Sequence, residues 1–210
     1  MKTPSIISLM IFLATFQRPA QRPATRDSRP VILAFGDSLT AGYGVQRGLG
    51  YPERLQQKLD SLGYKYRVVN MGISGDTTNG GRARMKPGLA VNPSIVILEL
   101  GANDGLRGLP TAETQANLEE MIKEFQNAGS KVILAGMTLP RNYGATYVKS
   151  FEDVFRDVAK KYNVPLIPFF LEGVVGDPKY TLADFLHPNA AGYVIVTDIV
   201  LKSLQPLLKK

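Results

Sequence analysis

Residues 31–45 read VILAFGDSLTAGYGV: an apolar run, Val31–Phe35, breaks at Gly36 into the polar pair Asp37–Ser38 and then reaches Gly42. A run that is apolar on both faces marks a strand buried inside a parallel sheet, because helices cover both faces of such a sheet. Further strand-like runs follow at Tyr66–Met71, Ile95–Leu100, Lys131–Ala135 and Pro165–Ile167. Between them lie stretches of helical spacing. Tyr51–Leu62 ends at Gly63, Thr111–Ala128 ends at Gly129, Tyr147–Tyr162 precedes the last strand, and Ala190–Leu207 closes the chain. Strands alternating with crossover helices predict an α/β fold with a parallel sheet covered on both faces. Ligands bind such sheets at the carboxyl ends of the strands, so chemistry is expected just after each apolar run.

The 210 residues suit one domain of ordinary size, and 44% hydrophobic with 20% charged residues is a globular composition. The chain has no cysteine and a single histidine, His187. Disulfides, a thiol nucleophile, sulfur-based zinc sites and any site needing two imidazoles are therefore excluded within one chain. The net charge of +7 is concentrated at the start: five of the 25 basic groups (Lys2, Arg18, Arg22, Arg26 and Arg29) precede residue 31, with Asp27 the only acid there. From Val31 onward, 20 basic residues face 17 acidic ones, too even a balance for a nucleic-acid surface.

Residues 1–30 read as a separate segment, with the globular domain at 31–210. Lys2 followed by apolar Ile6–Phe16 fits a secretory signal, and the stretch is too short to span a bilayer. QRPAQRPATRDSRP then reads as an extended linker. Ala20 and Ala24 are candidate cleavage residues, although Arg18 and Arg22 occupy positions where a second small residue is expected. The expectation is a periplasmic or secreted protein without an integral span in the mature domain; the alternative is an uncleaved, frayed N-terminus.

Chemistry does collect after the runs. GDSLTAG carries Ser38, NMGISGDTT carries Gly75, GANDG carries Asn103, and DFLHPN carries Asp184 and His187. In this order and spacing, these stretches resemble the four blocks of the SGNH (GDSL) hydrolases. ELGANDGLRGLP, LPRNYG and VPLIPFF are most similar to the arylesterase-like thioesterase/protease/lysophospholipase subgroup. Ala102 departs from the glycine frequent before the third-block Asn. The resemblance implies a flavodoxin-like three-layer α/β/α sandwich with five parallel strands. It further implies Ser38 as nucleophile, Asp184 and His187 as its catalytic partners, and Ser38, Gly75 and Asn103 as oxyanion donors.

The residue types suit that chemistry. A serine hydroxyl needs an adjacent base, and His187 is the only imidazole present. Asp184, three residues earlier, can reach the ring nitrogen that faces away from the serine, fixing the tautomer and stabilising the imidazolium. Pro188 disfavours helical geometry at His187. Taken singly, each piece has a plainer reading: Asp37–Ser38 as a turn or cap, Asp184 and His187 as a surface pair, Asn103 and Asp104 as caps of the helix that follows, and Asp76 as a cap. Neither Asp76 nor Asp104 is expected to carry a chemical step.

By the same resemblance, Leu106, Leu109 and Pro110 belong to a mobile loop that folds over an acyl chain; Leu139 and Tyr143 are read as another wall, and the plainer alternative is that the leucines pin the loop to the core. Arg107 and Arg141 are read as solvated surface charge, with contact to a phosphate head group as the alternative. The expected partner is a small acyl ester or thioester met by a monomer that needs no cofactor. Two alternatives stay open: a carbohydrate acetylesterase of the same family, or a non-catalytic flavodoxin-like module holding phosphate or flavin. The module would not need His187, and GYGVQRG (Gly42–Gly48) lacks the dinucleotide spacing. With no nitrogen- or sulfur-based metal site to assemble, EDTA is expected to leave ester turnover unchanged. Strong inhibition reversed by added metal would overturn that expectation.

Overall fold

The computed structural model describes residues 27–210. Positions 1–26 of the expected leader and linker lie outside the described residues. Among the described residues, no helix is long and apolar enough to cross a membrane.

In chain order the elements are β1 (Val31–Gly36), α1 (Ser38–Ala41), α2 (Tyr51–Ser61), β2 (Arg67–Gly72), α3 (Thr78–Ala83), α4 (Met85–Ala90), β3 (Pro93–Glu99), α5 (Ala102–Leu106), α6 (Thr111–Asn127), β4 (Lys131–Ala135), α7 (Ala145–Tyr162), β5 (Leu166–Ile167) and α8 (Ala190–Leu204). The five strands are parallel and ordered β2-β1-β3-β4-β5, the flavodoxin-like arrangement expected. The strand order reverses between β1 and β3. That reversal opens a crevice at their carboxyl ends.

Every residue of interior β1 is buried, whereas edge strand β2 is only half covered. Helix α2 packs beside α8, while α6 packs beside α3 and α7. The stripe Leu118, Met121, Ile122 and Phe125 on α6 is wholly buried, and its 3–4 residue spacing sets one helical face against the sheet. Phe125 meets Phe35 of β1 edge-on at 5.6 Å, and Tyr51 meets Phe170 at 5.4 Å.

The expected long helices are all present, each with one end as expected and the other displaced by one to three residues. The last pattern stops as α-helix at Leu204, and Gln205–Leu207 form a 3-10 turn around Pro206, which cannot continue the α-helical hydrogen bonding. The cap expected of Asp76 is corrected: the Thr77 hydroxyl caps α3 by accepting from Gly80 N–H, and Asp76 turns instead to Arg84. Asp104 does not cap the helix after it either. It lies within α5 and accepts from the backbone N–H of Thr78 at 2.9 Å, holding the start of α3 from another loop.

Gly36 and Gly72 are register partners at the carboxyl ends of β1 and β2. A methyl group on Gly72 would come within 2.1 Å of Ala41 N, and one on Gly36 within 2.1 Å of the Thr40 hydroxyl. The pair lets α1, and Ser38 with it, lie directly over the strand ends. Gly72→Ala is expected to destabilise the fold by about 1–3 kcal/mol through overpacking. The measurement is urea denaturation, with a lower midpoint at unchanged slope as the expected result.

Candidate active site

Ser38 is the first residue of α1, immediately after Asp37. Its hydroxyl lies 2.9 Å from Nε2 of His187, and Nδ1 of His187 lies 2.7 Å from Oδ2 of Asp184. Ser38 is 9% exposed, whereas the His187 side chain keeps 25% of its surface. Residues 149 positions apart are thus joined into one hydrogen-bonded chain from serine to imidazole to carboxylate.

The loop before α8 fixes the last two members. Leu182 N–H donates to the His187 carbonyl at 2.8 Å, and Thr181 and Pro188 form an antiparallel bridge. Within this turn Phe185 adopts φ +59°, an uncommon conformation for a bulky residue. Asp184 Oδ1 accepts from the backbone N–H groups of Leu186 and His187, both at 2.9 Å. Partial burial opposes the charge on Asp184, but these two N–H groups and the His187 ring outweigh it and hold the carboxyl below its usual range. Asp184 is therefore an ionised partner for the ring throughout neutral pH. Tyr43 lies against the imidazole, with ring centroids 4.7 Å apart.

The loops after β1, β2 and β3 meet at Asn103. Its side-chain amide donates to Oδ2 of Asp37 and to the Asp76 carbonyl, each at 3.0 Å. Gly75, one residue before Asp76, has φ +80°, a left-handed conformation that glycine takes without strain. Arg107 is exposed, as expected of a solvated charge, and its Nη2 also donates to the Gly75 carbonyl at 2.8 Å. Among the described residues, the backbone N–H groups of Ser38 and Gly75 have no acceptor.

Arg84 braces the same corner from below. It pairs with Asp76 at 2.7 Å, donates to the carbonyls of Gly36 and Met71, and stacks 3.9 Å from the Phe35 ring centroid. Both members of the ion pair are largely buried. Removing one partner of such a pair leaves an uncompensated charge, typically at a cost of about 3–5 kcal/mol.

Asp37 is 1% exposed. Its Oδ1 caps α1 by accepting from Leu39 N–H at 3.0 Å. Burial pushes its carboxyl up to about 6, against the pull of the bonds from Leu39, Glu99 and Asn103.

Ser38, Asn103 and His187 line an apolar cavity of about 230 Å³. Of the five residues expected to bind substrate, Leu106 and Leu139 line it. Leu109, Pro110 and Tyr143 do not. The Leu109 carbonyl accepts from the Tyr147 hydroxyl, Pro110 precedes α6 at its N-cap, and the Tyr143 hydroxyl donates to the Leu106 carbonyl, so these three shape the loop rather than the wall. Sequence reasoning missed Met137, Phe169, Leu171, Val175 and Leu186 in the wall. Met137 and Phe169 follow β4 and β5, so the strand-end rule that located Ser38 also applied to them. The exposed Arg141 side chain has no hydrogen-bond or ion-pair partner among the described residues, in keeping with a solvated charge.

Residues 34–195 match the GDSL-like Lipase/Acylhydrolase family. Esterase TesA of Pseudomonas aeruginosa is 42% identical over 201 residues, covering 95% of this chain and 96% of its own. Thioesterase 1/protease 1/lysophospholipase L1 of Escherichia coli is 37% identical over 201 residues, covering 95% of this chain and 91% of its own. A crystal structure of TesA superposes with a TM-score of 0.82 at 44% identity, over 85% of this chain and 99% of that one. The strand order, the blocks at the strand ends and these likenesses agree: the chain belongs to the GDSL-like lipase/acylhydrolase family, the SGNH hydrolases.

Proposed function

We propose that this protein hydrolyses carboxylic esters and thioesters of medium to long acyl chains, with Ser38 as nucleophile. The observation that carries this reading is the unbroken chain Ser38–His187–Asp184, at 2.9 and 2.7 Å, whose serine and imidazole line an apolar cavity. Ser38 Oγ attacks the acyl carbonyl while its proton passes to Nε2 of His187. Asp184 accepts from Nδ1–H throughout, selecting the tautomer whose Nε2 is free and stabilising the imidazolium. The tetrahedral intermediate collapses, and the leaving alcohol or thiol takes the proton from Nε2. Water then attacks the acyl-serine with His187 again as base, releasing the fatty acid and restoring the hydroxyl.

The developing oxyanion meets the backbone N–H groups of Ser38 and Gly75 and the amide of Asn103. Both protons of that amide are engaged at rest, one on the Asp37 carboxylate and one on the Asp76 carbonyl. A charged oxygen is the stronger acceptor, so it displaces the neutral Asp76 carbonyl and leaves the bond to Asp37 in place. Donors assembled before the reaction need little reorganisation when charge forms, which is the main source of their catalytic value.

The curated relatives are named esterase, thioesterase and lysophospholipase, in line with this reading. The apolar wall favours longer acyl groups over the acetyl group of a carbohydrate esterase. A phosphate- or flavin-holding module has no use for the serine–imidazole–carboxylate chain. The Lys2 and Ile6–Phe16 pattern supports an exported enzyme.

Two measurements test the proposal. A fluorophosphonate should label Ser38 in the wild type, and His187→Ala should slow labelling by several orders of magnitude, with no other histidine to substitute. Labelling should also fall on acidification, because a protonated imidazole cannot accept the serine proton. Folded protein that ignores the probe at neutral pH would overturn the reading. In a series of p-nitrophenyl esters, kcat/KM should rise by about fourfold per added methylene, the equivalent of about 0.8 kcal/mol each, until the cavity is filled. A flat series or a maximum at acetate would remove the acyl-chain assignment.

A further inference from the structure

Two carboxyl groups lie sealed beneath the serine turn, and the reaction above explains only what one of them touches. Asp37 is 1% exposed, and Glu99, the last residue of β3, is fully buried. Neither is paired with a Lys or Arg among the described residues. Arg84, which reaches the Gly36 carbonyl next to them, uses its remaining nitrogens on Asp76 and on the Met71 carbonyl.

The oxygens of Glu99 are unequally served. Oε2 accepts from the Thr40 hydroxyl at 2.8 Å and from Asp37 N–H at 3.3 Å. Oε1 is buried with no donor among the described residues. A carboxylate here would have one unsolvated oxygen beside a second acid, a combination that buried sites avoid. The neutral acid fits instead: a proton on Oε1 turns the orphan acceptor into a donor, and Oε2 keeps both of its bonds. A carboxylate acceptor for that proton is at hand in Asp37, whose own backbone N–H bonds Oε2 at 3.3 Å. Burial first, and then the charge of Asp37, push Glu99 well above the usual carboxylate range, in the same direction as the geometry. Tyr51 of α2, whose hydroxyl lies 3.2 Å from that of Thr40, and Tyr193 of α8 also face this pocket. Both are pushed up by burial and by Glu99, so they stay neutral phenols.

Asp37 uses both oxygens for the reaction centre, one on the α1 cap beside Ser38 and one on the Asn103 amide. We propose that Glu99 is a positioning residue for the hydrolysis. Held as a neutral acid, it donates one hydrogen bond to Asp37 and keeps that carboxylate the charged partner that fixes the Ser38 turn and aims the Asn103 amide. One proton thus serves two carboxyl groups, an arrangement that allows a buried acid to act as a hydrogen-bond donor at neutral pH. This role rests on the hydrolase reading.

The test joins a spectroscopic signature to a rescue. The infrared spectrum of the wild type at neutral pH should contain the C=O stretch of a protonated carboxylic acid, and Glu99→Gln should remove it. Glutamine retains an N–H donor for Asp37 and an acceptor for Thr40, so its turnover should stay near that of the wild type. Glu99→Leu keeps the bulk but not the donor. It should lower kcat by roughly 10- to 100-fold with KM little changed, somewhat less than the loss of a whole oxyanion donor. Absence of the protonated-acid band from the folded wild type overturns the proposal, as does a glutamine variant as impaired as the leucine one. Should Glu99→Leu fail to fold, the band and the turnover of Glu99→Gln still decide. A wild type that shows the band yet hydrolyses no ester would instead overturn the hydrolase reading, and Glu99's part in turnover with it.

Discussion

A carboxylate withdrawn from water at the end of the interior strand β1 must be met by donors, and much of the architecture around Asp37 satisfies that demand. Leu39 N–H from α1 and the Asn103 amide from α5 each take one oxygen. Burial of an unpaired charge is among the costliest arrangements a fold can hold, so these donors cannot drift without penalty. Ser38 is the next residue along, and its place is inherited from this anchoring. The group that defines the serine turn is thus the group that holds the third-strand amide in reach of it.

Opposite charge secures the neighbouring corner. Arg84 binds the ends of β1 and β2 through the Gly36 and Met71 carbonyls, and it holds Asp76 next to the Gly75 turn. Above the turn, Arg107 reaches the Gly75 carbonyl from the loop after β3. The donors proposed for the oxyanion therefore sit between an anion-centred and a cation-centred cluster, each tying segments that the parallel sheet brings together. The apolar cavity extends from this point past the loops after β4 and β5. The proposed division is functional: one side of the crevice would supply polar preorganisation, and the other a surface on which an acyl chain would lose contact with water.

Strands and long helices were legible because each produces a local pattern. β1 is apolar at every position, and α6 repeats its buried residues at helical spacing. The four short helices α1, α3, α4 and α5 span only four to six residues, too few for a periodicity to register. Local reading also misassigned Asp76, because Thr77 sits one position nearer α3 and a salt bridge to Arg84 offered the aspartate a stronger partner. Leu109, Pro110 and Tyr143 were apolar residues in the right loops, yet whether a side chain lines a wall or props a loop depends on segments far away in the chain.

The sequence by itself determined the alternation of strand and helix, the absence of thiol chemistry, and a serine, an aspartate and a lone histidine placed after apolar runs. Those properties follow from residue type and spacing, which are local. Only the tertiary structure decided that Ser38 and His187 meet at 2.9 Å across 149 positions, that Asn103 reaches Asp37 across 66, and that Glu99 lies buried beneath them. Hydrogen bonding depends on distance and angle, and burial depends on what the rest of the chain places around a residue. Neither is a property of the segment that carries it.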